Sequence, residues 1–217
     1  MSAKGKAGLA LLCLGAVMLI AALALYQNNQ HESLEAEVAS QEVMTQLIEV
    51  ITSEKIKPPL PDEELSPAYV EDTTEEPSPA YVEDTTMETV EIDGYRYVGF
   101  LTIPDLGVEL PVMEDWDYDR LRIAPCRYSG TLLGGDLVIA AHNYERHFGH
   151  LRQLSIGSEV IFTDVNGNST CFSVAELEIL QPTEIEYMTS ADYDLTLFTC
   201  TYGGATRFTA RCVRENG

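Results

Sequence analysis

The fold is decided by residues 195–214, which read LTLFTCTYGGATRFTARCVR. Residues 195–200 and 207–214 are dominated by aliphatic, aromatic and β-branched side chains, which are typical of strands. The six residues between them include Gly203-Gly204, a strong turn signal. The segment therefore predicts a β-hairpin, with Cys200 and Arg207 at the same mouth.

Upstream of this hairpin, short strand-like runs follow one another with turn signals between them. Gly134-Gly135 and Asn166-Gly167-Asn168 are two of these turns. The predicted strands are 95–103, 107–113, 136–141, 158–163 and 170–180, and short helices are predicted at 118–122 and 148–154. Many short strands with few helices indicate an all-β closed barrel or sandwich, and the pattern alone does not choose between them.

The N-terminal region contains an uncharged run, Ala7 to Tyr26, that is long enough to cross a bilayer as a helix. Lys4 and Lys6 precede it and acidic residues follow it. The positive-inside rule then predicts a cytoplasmic N-terminus and an external remainder. A cleaved signal peptide is the alternative, because Ala22-Leu23-Ala24 fits a cleavage pattern. The length of the run favours an uncleaved anchor.

Two different segments separate this run from the strands. Glu32 to Lys55 has apolar residues at helical spacing, and we interpret it as a juxtamembrane stalk in preference to a partner-binding helix. The sequence SPAYVEDTT then occurs twice, at 66–74 and 78–86, among prolines and carboxylates. This composition predicts an extended acidic spacer that lifts the domain off the membrane.

The predicted organisation is therefore residues 1–31 as cytoplasmic tip and transmembrane anchor, 32–91 as juxtamembrane helix and acidic linker, and 92–217 as one globular domain. The formal charge of −22 makes binding to a phosphate backbone unfavourable, so we predict no nucleic-acid partner. The five cysteines form no CxxC pair, which leaves zinc-ribbon and thioredoxin-type sites without support. A disulfide among Cys126, Cys171 and Cys212 stays open.

Three residue types at strand ends suggest covalent chemistry. Cys200 ends one predicted strand, and a thiol becomes a good nucleophile as the thiolate, near cationic groups. His142 follows the run 137–141 and is a candidate proton partner. Arg207 is a candidate stabiliser of an oxyanion, with Arg211 and Arg214 as rivals. The alternatives are a buried core cysteine, an ordinary histidine and a surface ion pair.

A metal site is the weaker interpretation of the histidines. His142, His147 and His150 lie close together in the sequence, but their spacing does not match a helical zinc motif and no nearby carboxylate completes a ligand set. We predict no metal and no cofactor.

The combination of these motifs resembles the sortase family. Thr196 to Cys200 is similar to its TLxTC signature, while His142-Asn143 and Arg207-Phe208 resemble its histidine and arginine sites. Residues 99–104 and 110–112 resemble its opening strands. The resemblance implies an eight-stranded β-barrel with short helices as the catalytic domain, 92–217. The subclass is open, and the short stretch from Leu180 to Leu195 lacks a class B-type long insert.

The same resemblance implies an activity, a substrate and a location. Cys200 would attack a carbonyl in an LPxTG-like sorting motif of secreted surface proteins, with His142 as proton donor and Arg207 as stabiliser. An amine from a cell-wall precursor or a pilin lysine would then resolve the thioacyl enzyme. The enzyme would be a single-pass protein of the cell membrane in a Gram-positive-type envelope, with its catalytic domain outside. A membrane-anchored cysteine protease and a non-enzymatic surface-binding domain are the alternatives.

Overall fold

The computed structural model describes residues 3–56 and 87–215. The described chain opens with a 54-residue helix, α1 (Ala3–Ile56), and all strands follow it. The strands are β1 (Val90–Ile92), β2 (Tyr95–Ile103), β3 (Val108–Met113), β4 (Cys126–Ser129), β5 (Leu137–Ala141), β6 (Glu159–Asp164), β7 (Ser169–Leu180), β8 (Leu195–Cys200) and β9 (Arg207–Arg214). Short helical turns are Pro104–Leu106, Arg120–Arg122, Leu151–Gln153 and α2 (Ile185–Met188).

Eight of the strands form a closed barrel. Their order is β2-β3-β4-β5-β8-β9-β7-β6, and β6 pairs back with β2 to close the ring. β1 pairs with β2 outside the ring. Gly99 lies where β2 meets β6, and a Cβ at this position would be 2.1 Å from the carbonyl oxygen of Thr163. Glycine therefore permits the close approach that closes the barrel, and the predicted eight-stranded barrel is confirmed.

The barrel interior and its outer face are filled by alternate residues of the same strands. Leu137 and Ile139 of β5, with Leu195 and Leu197 of β8, belong to the main interior core. Side chains alternate between the two faces of a strand. Phe198 therefore lies on the outer face, where it packs in two smaller clusters. Along β8, Leu195 and Leu197 therefore lie in the interior core, whereas Phe198 lies on the outer face of the barrel.

The seven strands predicted from sequence correspond to β2, β3 and β5–β9. β1 and β4 were missed because they contain three and four residues, too few to show an alternating pattern. The two predicted short helices are confirmed as single turns at Arg120–Arg122 and Leu151–Gln153. α2 was not predicted, since one turn of four residues has no helical periodicity to detect.

The first half of α1 carries exposed apolar side chains. Leu11, Leu19 and Leu25 are each at least 70% exposed, which would be costly in water for so many neighbouring residues. Within the described parts of the chain, α1 is one helix long and apolar enough to cross a membrane. The apolar run and the juxtamembrane segment form a single continuous helix.

The second half of α1 packs against the barrel. Val43, Leu47 and Ile51 are buried in one cluster with Tyr97 and Met113 of the barrel. Apolar burial of this kind stabilises the contact between helix and barrel.

A polar contact lies beside this apolar one. The Ser40 hydroxyl donates to the carbonyl of Ile123 at 2.7 Å and lies 3.2 Å from Nε2 of the fully buried His147. Burial lowers the pKa of His147 to about 4, so the imidazole is neutral at neutral pH. The contact between helix and barrel therefore includes a buried hydrogen-bonding group on each side.

These contacts add to one expectation. Within the segment that the sequence predicts to be a juxtamembrane stalk, Val43, Leu47 and Ile51 share a core cluster with the barrel. The predicted acidic spacer stays a prediction. The SPAYVEDTT repeats lie outside the described residues, and the three-part domain division stays a prediction.

We expect Leu47→Ala to destabilise the full-length protein by about 2–5 kcal/mol, because Leu47 is fully buried between α1 and the barrel. Ile48→Ala is the control, since Ile48 is 44% exposed, and its effect should stay within roughly 0.5 kcal/mol. Urea unfolding of the detergent-solubilised protein measures both. Equal effects of the two variants would show that the helix does not pack as described.

Candidate active site

The three predicted site residues lie at the ends of three neighbouring strands. β5 and β8 run parallel, with Ala141 opposite Thr199, so the residues that follow, His142 and Cys200, emerge at the same edge. The Thr199 hydroxyl donates to the Ala141 carbonyl at 2.8 Å and ties this edge together. β9 is antiparallel to β8 and places Arg207 opposite Cys200.

The turn between β8 and β9 maintains this pairing. Gly203 and Gly204 have φ values of 82° and 73°, a left-handed conformation that glycine adopts without strain. The Thr201 amide donates to the Thr206 carbonyl at 3.0 Å, and the two threonine hydroxyls are 2.8 Å apart. The tight turn predicted from sequence is confirmed, and it holds Arg207 next to Cys200.

A cavity of about 130 Å³ opens at this edge of the barrel, and His142, Cys200 and Arg207 all line it. Most of its remaining wall is apolar or aromatic and comes from the segment after β3, from β4, from β8 and from α2. These residues are Trp116, Tyr118, Leu121, Tyr128, Phe198, Ile185 and Met188. An apolar cavity with a few polar groups at one end is the usual form of a ligand site.

Aromatic contacts give the cavity a firm wall. The Trp116 and Tyr128 rings are 5.1 Å apart, and Tyr128 meets Phe198 edge to face at 5.2 Å. Such pairs contribute about 0.5–1.5 kcal/mol each beyond area burial. The wall can therefore hold an apolar side chain of a ligand close to Cys200.

The half-buried imidazole of His142 is suited to accept a proton. Burial lowers the pKa of His142, and the positive charge of Arg122 lowers it further. The Glu32 carboxylate of α1 and the Tyr118 backbone act in the opposite direction. His142 is therefore mainly neutral at neutral pH, the form that can take a proton from a thiol.

Arg207 is held by the turn that precedes it. Its Nη1 donates to the carbonyls of Gly204 and Thr206, each at 3.1 Å. A guanidinium has five N–H donors in a planar fork. The tethered side chain thus borders the cavity with a fixed positive charge.

The rival Arg211 has a different environment. It is fully buried, with Nε 2.7 Å from the Glu178 carboxylate. Its terminal nitrogens donate to the backbone carbonyls of Met188 and Tyr187 at 2.8 and 2.7 Å. The guanidinium also lies 5.2 Å from the ring of Tyr187, the geometry of a cation–π contact. Arg211 therefore fastens α2 to the barrel behind the cavity wall.

Sequence reasoning missed this role because the partners of Arg211 are distant in the chain. The only available signal was the alternation along β9, which correctly puts Arg207 and Arg211 on the same face. The third candidate, Arg214, is exposed and donates to the Leu132 carbonyl at 2.7 Å. Only Arg207 among the three lines the cavity beside Cys200.

The five cysteines are free in the structure. Cys126 and Cys212 are buried, and burial raises the pKa of each thiol to about 12, which suppresses the reactive thiolate. Cys200 is half-buried and lines the cavity. The environment of Cys200 is therefore the more suitable for a nucleophile.

The histidines do not assemble into a metal site. His147 is buried beside Ser40, whereas Nδ1 of His150 lies 2.7 Å from the side-chain amide nitrogen of Gln153. Within residues 3–56 and 87–215, no group of three or more His, Cys, Asp or Glu side chains is arranged to hold a metal ion.

Comparison with known proteins now assigns the family. The family model of the sortase domain matches residues 101–215, more than half of the chain. The chain belongs to the sortase family. Sortases are transpeptidases with a cysteine nucleophile, and membership of this family supports the prediction that the protein is an enzyme. A search of the curated proteins found no match.

Solved sortase structures share the barrel. Sortase C from Clostridium perfringens is 24% identical with a TM-score of 0.50, covering 56% of this chain and 71% of its own. Sortase C1 from Streptococcus agalactiae is 23% identical with a TM-score of 0.52, covering 58% and 72%. Sortase A from Corynebacterium diphtheriae is 21% identical with a TM-score of 0.52, covering 57% and 62%. At these identities the likeness shows the fold, and A-type and C-type sortases match equally well.

We expect Arg211→Ala to destabilise this sortase by about 3–5 kcal/mol, because removing one partner leaves Glu178 unpaired in a partly buried site. It also leaves two backbone carbonyls of the α2 segment without their donors. Arg214→Ala is the matched control on the same strand and should cost much less, since Arg214 is exposed. Urea unfolding monitored by circular dichroism compares them, and similar losses would contradict the described role.

Proposed function

We propose that this sortase cleaves an LPxTG-like sorting motif of surface proteins and joins the acyl part to an amine. Cys200 is the proposed nucleophile, His142 its proton partner and Arg207 the electrostatic stabiliser. One observation carries the proposal: these three side chains line one cavity at the ends of β5, β8 and β9. The apolar wall formed by Trp116 and Phe198 supports binding of a peptide with apolar residues beside the scissile bond.

The first half-reaction is an acyl transfer to sulfur. Neutral His142 takes the thiol proton, and the Cys200 sulfur attacks the peptide carbonyl. The S–C bond forms as the carbonyl oxygen becomes an oxyanion, which the Arg207 guanidinium stabilises. When the C–N bond breaks, the imidazolium returns its proton to the leaving amine. A thioacyl enzyme remains, and His142 is neutral again.

The second half-reaction consumes this thioester. A deprotonated primary amine attacks the carbonyl carbon, a C–N bond forms and the C–S bond breaks. The amine's surplus proton passes through His142 to the departing sulfur. The proposed acceptors are a cell-wall precursor and a pilin lysine, and α1 would hold the enzyme at the membrane with its barrel outside the cell. Water in place of the amine would make the protein a cysteine protease.

We expect Cys200→Ala to abolish turnover of a fluorogenic sorting peptide while the protein stays folded, because the cavity that holds His142 and Arg207 is lined by no other cysteine of the described residues. Cys171→Ala is the matched control, since Cys171 is also half-buried but lies on β7, outside the cavity. Mass spectrometry of the peptide-treated protein detects the thioacyl adduct. An adduct or turnover in Cys200→Ala would refute the mechanism.

We expect Arg207→Ala to reduce turnover by about 100- to 1000-fold, the usual effect of losing one oxyanion donor. Arg207→Lys keeps the charge but loses the planar fork of donors, so it should also be strongly impaired. Arg214→Ala, an exposed position on the same strand, serves as control and should be nearly silent. The measurement is the steady-state turnover of the sorting peptide by each purified variant. Full activity in Arg207→Ala would remove the arginine from the mechanism.

A further inference from the structure

The loop that follows β5 begins with the candidate histidine and closes back on it. We call residues 142–149 the histidine loop. The Phe148 amide donates to the His142 carbonyl at 3.1 Å, and the His147 amide donates to the Tyr144 carbonyl at 3.0 Å. Phe148 is fully buried in the main interior core. The backbone of the histidine loop is therefore compact, and a change in its position would also move His142.

The helix α1 holds the histidine loop from the outside. Every partner on the helix lies within positions 32–40, between the apolar run and the part of α1 that packs in the barrel cluster. The Tyr144 hydroxyl donates to the Glu32 carboxylate at 3.4 Å, Nε of Arg146 lies 3.4 Å from the Glu37 carboxylate, and the Ser40 hydroxyl lies 3.2 Å from Nε2 of His147. Three polar contacts thus fix the loop against one helix.

One of these contacts extends to the candidate histidine. The Tyr144 ring lies against the His142 imidazole, with centroids 4.8 Å apart and planes at 35°. Tyr144 is buried, and burial raises its pKa, which the Glu32 carboxylate raises further. The phenol therefore keeps its proton and can donate it to Glu32 in a hydrogen bond. A continuous set of contacts runs from Glu32 through Tyr144 to His142.

The charges around His142 give this set of contacts a second effect. The titratable and charged side chains that face the imidazole or line its cavity are Glu32 of α1, Tyr118 and Arg122 between β3 and β4, Tyr144 and His147 of the histidine loop, Glu184 before α2, and Cys200 and Arg207 of β8 and β9. Burial and Arg122 lower the pKa of His142, whereas the negative charge of Glu32 raises it. Glu32 therefore favours the protonated imidazole.

We propose that Glu32 and Tyr144 are positioning residues for His142, so that the helix carrying the apolar run is part of the active site. The proposal rests on the role of His142 in the function proposed above. Tyr144 supports the imidazole with its ring, and Glu32 holds Tyr144 in place. When His142 takes the thiol proton, the charge of Glu32 stabilises the imidazolium. Neither residue lines the cavity beside Cys200, so both act through His142.

The first test measures the pKa of His142 and needs no substrate. The full-length protein in detergent is labelled with carbon-13 at imidazole Cε1, and its four histidines are titrated by NMR, with His142→Gln assigning the signal. We expect Glu32→Gln to lower the pKa of His142, because the imidazolium loses a stabilising charge. Tyr144→Phe keeps the ring but releases the carboxylate, so it should lower the pKa by less.

Glu35→Gln is the matched control for this titration. It makes the same change of charge three residues further along α1, where Glu35 is exposed and lies 3.3 Å from His31. The pKa of His142 should then keep its wild-type value. An unchanged pKa of His142 in Glu32→Gln, or an equal fall in Glu35→Gln, would overturn the proposal.

The second test is turnover of the sorting peptide as a function of pH. In Glu32→Gln we expect kcat to fall about three- to thirtyfold, below the roughly 100- to 10,000-fold that a complete acid–base group contributes. KM should not change, since Glu32 lies outside the peptide cavity. The acid limb of kcat/KM should move to lower pH with the pKa of His142. A higher KM with unchanged kcat would overturn the positioning role.

A double variant tests whether Glu32 acts through Tyr144. Residues that share one contact have non-additive effects. Glu32→Gln combined with Tyr144→Phe should therefore be little slower than Glu32→Gln alone, and independent, additive losses would contradict the set of contacts.

The outcomes separate this proposal from the proposed function. Wild-type values of both kcat and the His142 pKa in Glu32→Gln would overturn the positioning role and leave peptide cleavage by Cys200 in place. Absence of peptide cleavage by the wild-type protein would instead refute the proposed function. The NMR titration would then still decide whether Glu32 acts on His142.

Discussion

The pairing of β8 with its two neighbours is the constraint on which the site depends. β8 runs parallel to β5 and antiparallel to β9, and these two registers bring the ends of all three strands to one edge. Leu195 and Leu197 are fully buried in the barrel interior. A shift of one residue would exchange the two faces of β8 and move Cys200 inward. The burial of Leu195 and Leu197 therefore fixes the position of Cys200, which is itself only half-buried.

The helix α1 packs against the barrel and also places a charged residue near the candidate site. Its apolar face joins a core cluster through Val43, Leu47 and Ile51. Nearer the apolar run, Glu32 raises the pKa of His142 through its charge, and its carboxylate accepts a hydrogen bond from the Tyr144 hydroxyl at 3.4 Å. The segment that follows the apolar run therefore places a negative charge near the candidate site and packs against the barrel.

Most of the barrel could be predicted from sequence because its strands are long enough to show alternation and are separated by glycine-rich turns. The hairpin containing Cys200 and Arg207 is the clearest case. The register between β8 and β9 is set by the short turn that joins them, so it depends only on residues close together in the sequence. β4 could not be predicted, because Cys126 to Ser129 is a four-residue strand held by its neighbours. The same reasoning explains why α2 and the function of Arg211 were missed: both depend on contacts between residues distant in the chain.

The parts of the site that sequence could propose are those with a motif, Cys200, His142 and Arg207. The aromatic wall of Trp116, Tyr128 and Phe198 could not be proposed, because it is assembled from three separate segments. The docking of α1 was also missed. Helical periodicity shows that a face is apolar, but it does not show what covers that face.

Because α1 and the barrel belong to one chain, the contact between them can form with a lower affinity than a contact between two separate molecules would need. Residues 57–86 join the end of the helix to the first described residue of the domain, so the two surfaces meet intramolecularly. Because the connection is covalent, the contact forms within one molecule, and its occupancy does not depend on the protein concentration. The docked state can thus persist with an interface too weak to hold two independent molecules together.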